Sequence, residues 1–113
     1  MAMDALEQEY GTLPPWAGRL REAAPGFYGD YLALRGRILR HGVLSRKEKD
    51  LLLELVLVAI NLAEGYEEGI RLHAGNARRM GAGDGHLVET ALTVVLTAGS
   101  PAWFNVVPHL EAR

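Results

Sequence analysis

Leu51-Leu-Leu-Glu-Leu-Val-Leu-Val-Ala-Ile-Asn-Leu-Ala63 is the stretch that decides the fold class. It shows no sustained period-two alternation, and its apolar residues cover nearly every face of a helix. A helix of that kind is expected to lie among other helices. Glu54 and Asn61 interrupt the run, and a transmembrane helix needs about 20 largely apolar residues. The expectation is therefore a buried core helix of an all-α domain, with no membrane as partner.

The flanks bound this helix and set the pattern for the rest. Ser45 and Glu48 make the S-x-x-E pattern of a capping box, so the helix runs from Arg46 to about Ala63. Gly65 is a break or a kink. A further helix is expected over about Tyr66–Met80, ending at Gly81, with Arg78 and Arg79 in its last turn where cations suit the helix dipole. Asp84 reads as the N-cap of a helix over His86–Ala98 that Gly99 closes. Ser100 and Pro101 repeat a cap-plus-proline start, and Pro108 bends or shortens the final helix carrying Trp103, Phe104 and Val107.

Upstream, Pro14 and Pro15 open a short helix to Ala24. After Pro25 and Gly26, the apolar positions Phe27, Tyr31, Leu34 and Ile38 mark one face of a helix over Phe27–Arg40, and Gly42 ends it. Residues 1–12 read as a loose or partly helical arm. No Asn-Gly or Asp-Gly hairpin turn lies between β-branched runs. The sum is one all-α domain over 1–113 with about six helices, its short loops making consecutive helices antiparallel neighbours.

Composition narrows the function. The chain has 113 residues, of which 49% are hydrophobic and 23% charged, an ordinary globular balance. The net charge is −2 and the basic residues form no tract, so no nucleic-acid partner is expected. The absence of cysteine removes disulfides, thiol nucleophiles and thiolate metal sites together, and fits a cytoplasmic protein. The first residues, Met-Ala-Met-Asp-Ala-Leu-Glu, carry no apolar core of a signal peptide.

Glu54 is the leading candidate for chemistry. A carboxylate on a helix that is apolar all round meets a desolvation cost unless it is paired or protonated. Such a group is suited to proton transfer. Asn61 follows seven residues later on the same face. On the next helix Tyr66, Gly69, Ile70 and His73 fall on one face by spacings of three and four, which makes His73 a candidate acid or base. Each has a purely structural alternative: a hydrogen bond to a neighbouring helix for Glu54, and a core or subunit contact for His73. His41, His86 and His109 read as surface or interface residues. No His pair at i,i+4 and no HExxH spacing points to a metal, and no P-loop or dinucleotide fingerprint points to a nucleotide. Ser45 and Ser100 read as helix caps rather than nucleophiles.

Taken together, Gly42–Val56, Gly69–Ala82 and Glu89–Ala102 resemble the carboxymuconolactone decarboxylase and alkylhydroperoxidase D superfamily, from near Pro25 to about Val107. The alkylhydroperoxidase D branch has a Glu, eleven intervening residues, Cys-x-x-Cys, three residues and a His. Glu54 takes the glutamate position and His73 the histidine position, and the two cysteine positions fall on Tyr66 and Gly69. Neither can form a thiolate, so thiol peroxidase and disulfide reductase chemistry is excluded.

The resemblance to the decarboxylase branch implies a cofactor-independent, metal-free lyase on a small organic acid. His73 would then be the general acid, Glu54 its orienting partner and Tyr66 a donor to an oxyanion. Arg71, or an arginine of a neighbouring subunit, would hold the substrate carboxylate, with Asn61 and Gly69 beside it. The resemblance also implies a homo-oligomer, a hexamer first and a trimer second. The apolar residues of Arg46–Met80, with Trp103, Phe104, Val106 and Val107, are the surface available for it. A non-catalytic binding or structural protein of the same fold is the standing alternative. A third reading, an oxidoreductase with a bound cofactor or a partner's thiols, has no motif to carry it.

Overall fold

The computed structural model describes residues 4–111. Among them every regular element is a helix, and none is long and apolar enough to cross a membrane. Seven α-helices, one more than expected, and a terminal 3₁₀ turn fall into two compact units, residues 1–46 and 47–113.

The first unit contains α1 (Ala5–Tyr10), α2 (Pro15–Ala23) and α3 (Pro25–Arg40). The described part of the expected arm is thus a helix with closed ends. Asp4 caps it, its Oδ1 accepting from Glu7 N at 3.0 Å, while Asp4 N donates to Glu7 Oε1 at 3.4 Å. Leu6 is buried with Ala17 and Tyr28, and Tyr10, Leu13, Leu20, Tyr31 and Leu32 pack around them. The Tyr28 hydroxyl donates to Asp4 Oδ2 at 2.7 Å, tying α3 to the start of α1. Arg35 Nη1 lies 2.6 Å from Glu9 Oε2, both side chains largely covered. Residues 1–3 of the expected arm lie outside the described residues.

The second unit contains α4 (Arg46–Glu64, which begins at the last residue of the first unit), α5 (Glu67–Arg79), α6 (Asp84–Ala98), α7 (Pro101–Val106) and the 3₁₀ turn Val107–His109. Val58, Leu62, Ile70, Ala74, Leu87, Ala91, Val94, Ala102 and Val106 form its core. Gly65 is a break, at φ +71, a conformation that glycine adopts without steric penalty. Asn105 Nδ2 donates to the Leu62 carbonyl at 2.9 Å, satisfying one of the last carbonyls of α4.

Three sequence expectations are corrected here. The helix α4 is not covered all round: Leu52, Val56 and Ile60, spaced by four, remain 46%, 44% and 49% exposed. Asp84 is the first helical residue rather than the cap. Its Oδ1 is taken by Arg78 Nη2 at 2.5 Å and by Glu111 N at 3.0 Å. His86 Nδ1 instead accepts the Gly83 N–H at 3.1 Å. Ser100 has helical dihedrals and makes no side-chain cap, because a cap residue must leave the helical region for its oxygen to reach back.

Candidate functional site

The second unit brings Glu54 and His73 together. On α4 the buried positions are Glu54, Val58, Asn61 and Leu62, one helix face by their spacing. On α5 the face turned inward carries Gly69, Ile70, Ala74, Asn76 and Ala77, with His73 at its margin. His73 Nδ1 lies 2.7 Å from Glu54 Oε2. The Glu54 side chain has no exposed surface, and that of His73 keeps 16%. A fully desolvated carboxyl group needs donors. Asn76 supplies one, its Nδ2 donating to the same Oε2 at 3.4 Å, and the imidazole stands beside it.

Asn61 and Gly69 also meet. A Cβ built on Gly69 would lie 2.6 Å from Asn61 Cγ and Nδ2 and 2.7 Å from its Oδ1. Only a residue without a side chain fits under that amide, so Gly69 sets how closely α5 passes Asn61. The asparagine is itself buried.

Tyr66 and Arg71 are exposed in the chain. Tyr66 is the N-cap of α5, at φ −86 and ψ 94, so helical spacing does not extend to it and its side chain is 56% exposed. Arg71 is exposed on α5. It precedes His73 by two positions, which sets them on different faces.

Sequence reasoning missed Asn76 and the use made of Arg79. The available signal was spacing: Asn76 is three residues after His73, the distance at which helical neighbours share a face. Arg79 Nη2 donates to Asn76 Oδ1. Its neighbour Arg78 lies in the last turn of α5 as expected and also donates to the His109 carbonyl at 3.0 Å and to Asp84. His109 Nε2 lies 2.8 Å from Glu67 Oε1. His41 is the C-cap of α3, and its N–H donates to the Arg37 carbonyl.

Chemically, the pair is an imidazole held by a carboxylate at one nitrogen. Such a carboxylate orients the ring, and the second nitrogen is left to exchange a proton with a reactant. A separate open groove of about 450 Å³ lies between α4 and α6, lined by residues that include Leu55, Val56, Ala59, His86, Glu89 and Thr93. Glu54 and His73 do not line it. Among the described residues no three His, Asp or Glu side chains are grouped as metal ligands.

The sequence model of the carboxymuconolactone decarboxylase family matches residues 25–112. The crystal structure of a protein assigned as a carboxymuconolactone decarboxylase from Burkholderia xenovorans LB400 is similar, with 28% sequence identity and a TM-score of 0.68. The similarity covers 87% of this chain and 74% of that one. No curated protein matches the chain.

Proposed function

Because the chain belongs to the carboxymuconolactone decarboxylase family, we propose that it is a cofactor-independent proton-transfer lyase acting on a small organic acid. The observation that carries this reading is the 2.7 Å contact between His73 Nδ1 and a fully buried Glu54. In the proposed reaction the bond from carbon to the departing carboxylate breaks, carbon dioxide leaves, and the electron pair stays behind as a dienolate. His73 delivers a proton from Nε2 to the carbanionic carbon and is reprotonated from solvent. Glu54 holds the ring and offsets the imidazolium charge. Thiol chemistry has no place in this scheme, since the sequence contains no cysteine.

A substrate carboxylate needs a cation, and Arg71 serves that role only if a neighbouring subunit presents it, since it lies off the His73 face of its own helix. That requirement supports assembly, as does the half-exposed row Leu52, Val56 and Ile60. A homohexamer is the assembly proposed, with a trimer as the smaller alternative, in the cytoplasm and without metal or cofactor. The second reading, a non-catalytic member of the family, draws on the exposure of Tyr66 and Arg71, two residues that the enzyme reading assigns to the site.

Carbon dioxide release from a panel of lactone acids tests the proposal. Wild-type protein turns over at least one of them. Glu54→Gln and His73→Gln keep the fold and lose roughly 10²- to 10⁴-fold in kcat, the usual share of a general acid. Acids that bind the wild type with no release of carbon dioxide leave the non-catalytic reading in place.

A further inference from the structure

Three hydrogen bonds in series reach His73, and each has a sense. Arg79 offers only donors, so the Asn76 atom it meets must be the amide oxygen. That orients the amide and sends Nδ2 toward Glu54 Oε2, at 3.4 Å. An oxygen that receives an amide N–H is favoured as the unprotonated acceptor, and the nitrogen 2.7 Å away on its other side, His73 Nδ1, is then the donor. Asn76 is 2% exposed, so water does not compete for its amide. Arg79 is exposed and enters the relay from the surface.

We propose that Asn76 and Arg79 are positioning residues that hold neutral His73 in its Nδ1–H tautomer and so leave Nε2 as the nitrogen that accepts and returns protons. The relay acts through Glu54, and neither residue touches substrate. The tautomer follows from the hydrogen bonds alone; its effect on turnover rests on the proton-transfer reading above. His86 provides an opposite case in the same molecule. Its Nδ1 accepts the Gly83 N–H at 3.1 Å, which places the proton of its neutral ring on Nε2.

Long-range ¹H–¹⁵N correlation spectra of the whole ¹⁵N-labelled chain, recorded where the imidazoles are neutral, read both rings directly. His73→Gln identifies the His73 signals among the four histidines. The expected wild-type result is His73 as Nδ1–H and His86 as Nε2–H. Arg79→Met, at an exposed position that leaves the fold intact, and Asn76→Leu each lower the Nδ1–H to Nε2–H ratio of His73 by about tenfold, the loss expected of one hydrogen bond. His86 stays unchanged in both. A wild-type His73 in the Nε2–H form overturns the proposal. So does a ratio that stays put in Arg79→Met, even if Asn76→Leu unfolds. A purely structural Asn76 would lower the melting temperature of Asn76→Leu without moving the tautomer ratio in either variant. If the tautomer is as proposed but no acid is turned over, the proton-transfer reading fails and the relay stands. If turnover is found and kcat in Arg79→Met equals wild type at unchanged KM, the positioning role fails and the lyase reading stands.

Discussion

Gly69→Ala adds one carbon at the tightest point between α4 and α5. Its Cβ would stand 2.6 Å from Asn61 Cγ and Nδ2, about 0.8 Å inside the 3.4 Å at which ordinary contact begins. Alanine in a helix interior gains about 0.5–1 kcal/mol over glycine. Forcing a methyl group into a packed interior costs about 1–3 kcal/mol. Asn61 is 8% exposed and has little room to retreat, so the second effect wins. The net expectation is a loss of about 1–2 kcal/mol.

Asn61→Ala removes the obstructing amide, and in that background Gly69→Ala becomes stabilising by about 0.5–1 kcal/mol. The same substitution thus changes sign, and the coupling in the double-mutant cycle is about 2 kcal/mol. Urea unfolding followed by circular dichroism measures all four proteins, compared at equal slope. A Gly69→Ala protein more stable than wild type, or a cycle without coupling, refutes the close approach as the reason for glycine there.

Two further outcomes concern the ends of the chain. Burial, followed by the hydrogen bond to Asp4 and that carboxylate's charge, pushes the Tyr28 hydroxyl up to about 12, while the same hydrogen bond holds Asp4 below its ordinary 3.8. A raised folded value contributes stability that is complete below pH 10.0 and lost as pH rises toward about 12. The lowered Asp4 contributes above 3.8 and loses its share as pH falls through its folded value. Alkaline ultraviolet difference titration should show a late tyrosine transition that disappears in Tyr28→Phe, and the variant's stability should depend less on pH at both extremes. A Tyr28→Phe protein with the wild-type profile contradicts this. At the other end, Arg78→Met removes the donor shared by Asp84 and the His109 carbonyl, at an expected cost of about 2 kcal/mol. Amide exchange at Glu111, whose N–H is held by Asp84 Oδ1, should quicken; unchanged exchange there argues against Arg78 holding Asp84 in place.

The helices were legible because their ends carry chemistry that acts locally. Proline at a first turn and glycine past a last turn mark boundaries whatever the surroundings, and α2, α4 and α6 begin or end within a residue or two of where such signals stand. What failed were choices among equivalent local solutions. Asp84 is a good cap by itself, but Arg78, six residues earlier, claims its carboxylate and the helix uses His86 instead. The coverage of α4 was also out of reach, since an apolar stripe reads the same whether a neighbouring helix or a second subunit is to cover it.

The site shows how far helix phase can carry an argument. Glu54 and His73 lie on different helices, and periodicity says only that each faces inward. Their contact depends on how α4 and α5 cross, which Gly65 and the Asn61–Gly69 approach decide. Phase was right for Gly69 and Ile70, which are buried. Tyr66, one residue before the helix begins and at φ −86 and ψ 94, is exposed. A face assignment is valid only between the caps. The same rule brings in Asn76, inside the helix and one turn beyond His73. Polar residues on the inward face of α5 are thus to be counted from Glu67 to Arg79, and counted that way they include His73 and Asn76, both within hydrogen-bond distance of Glu54 Oε2.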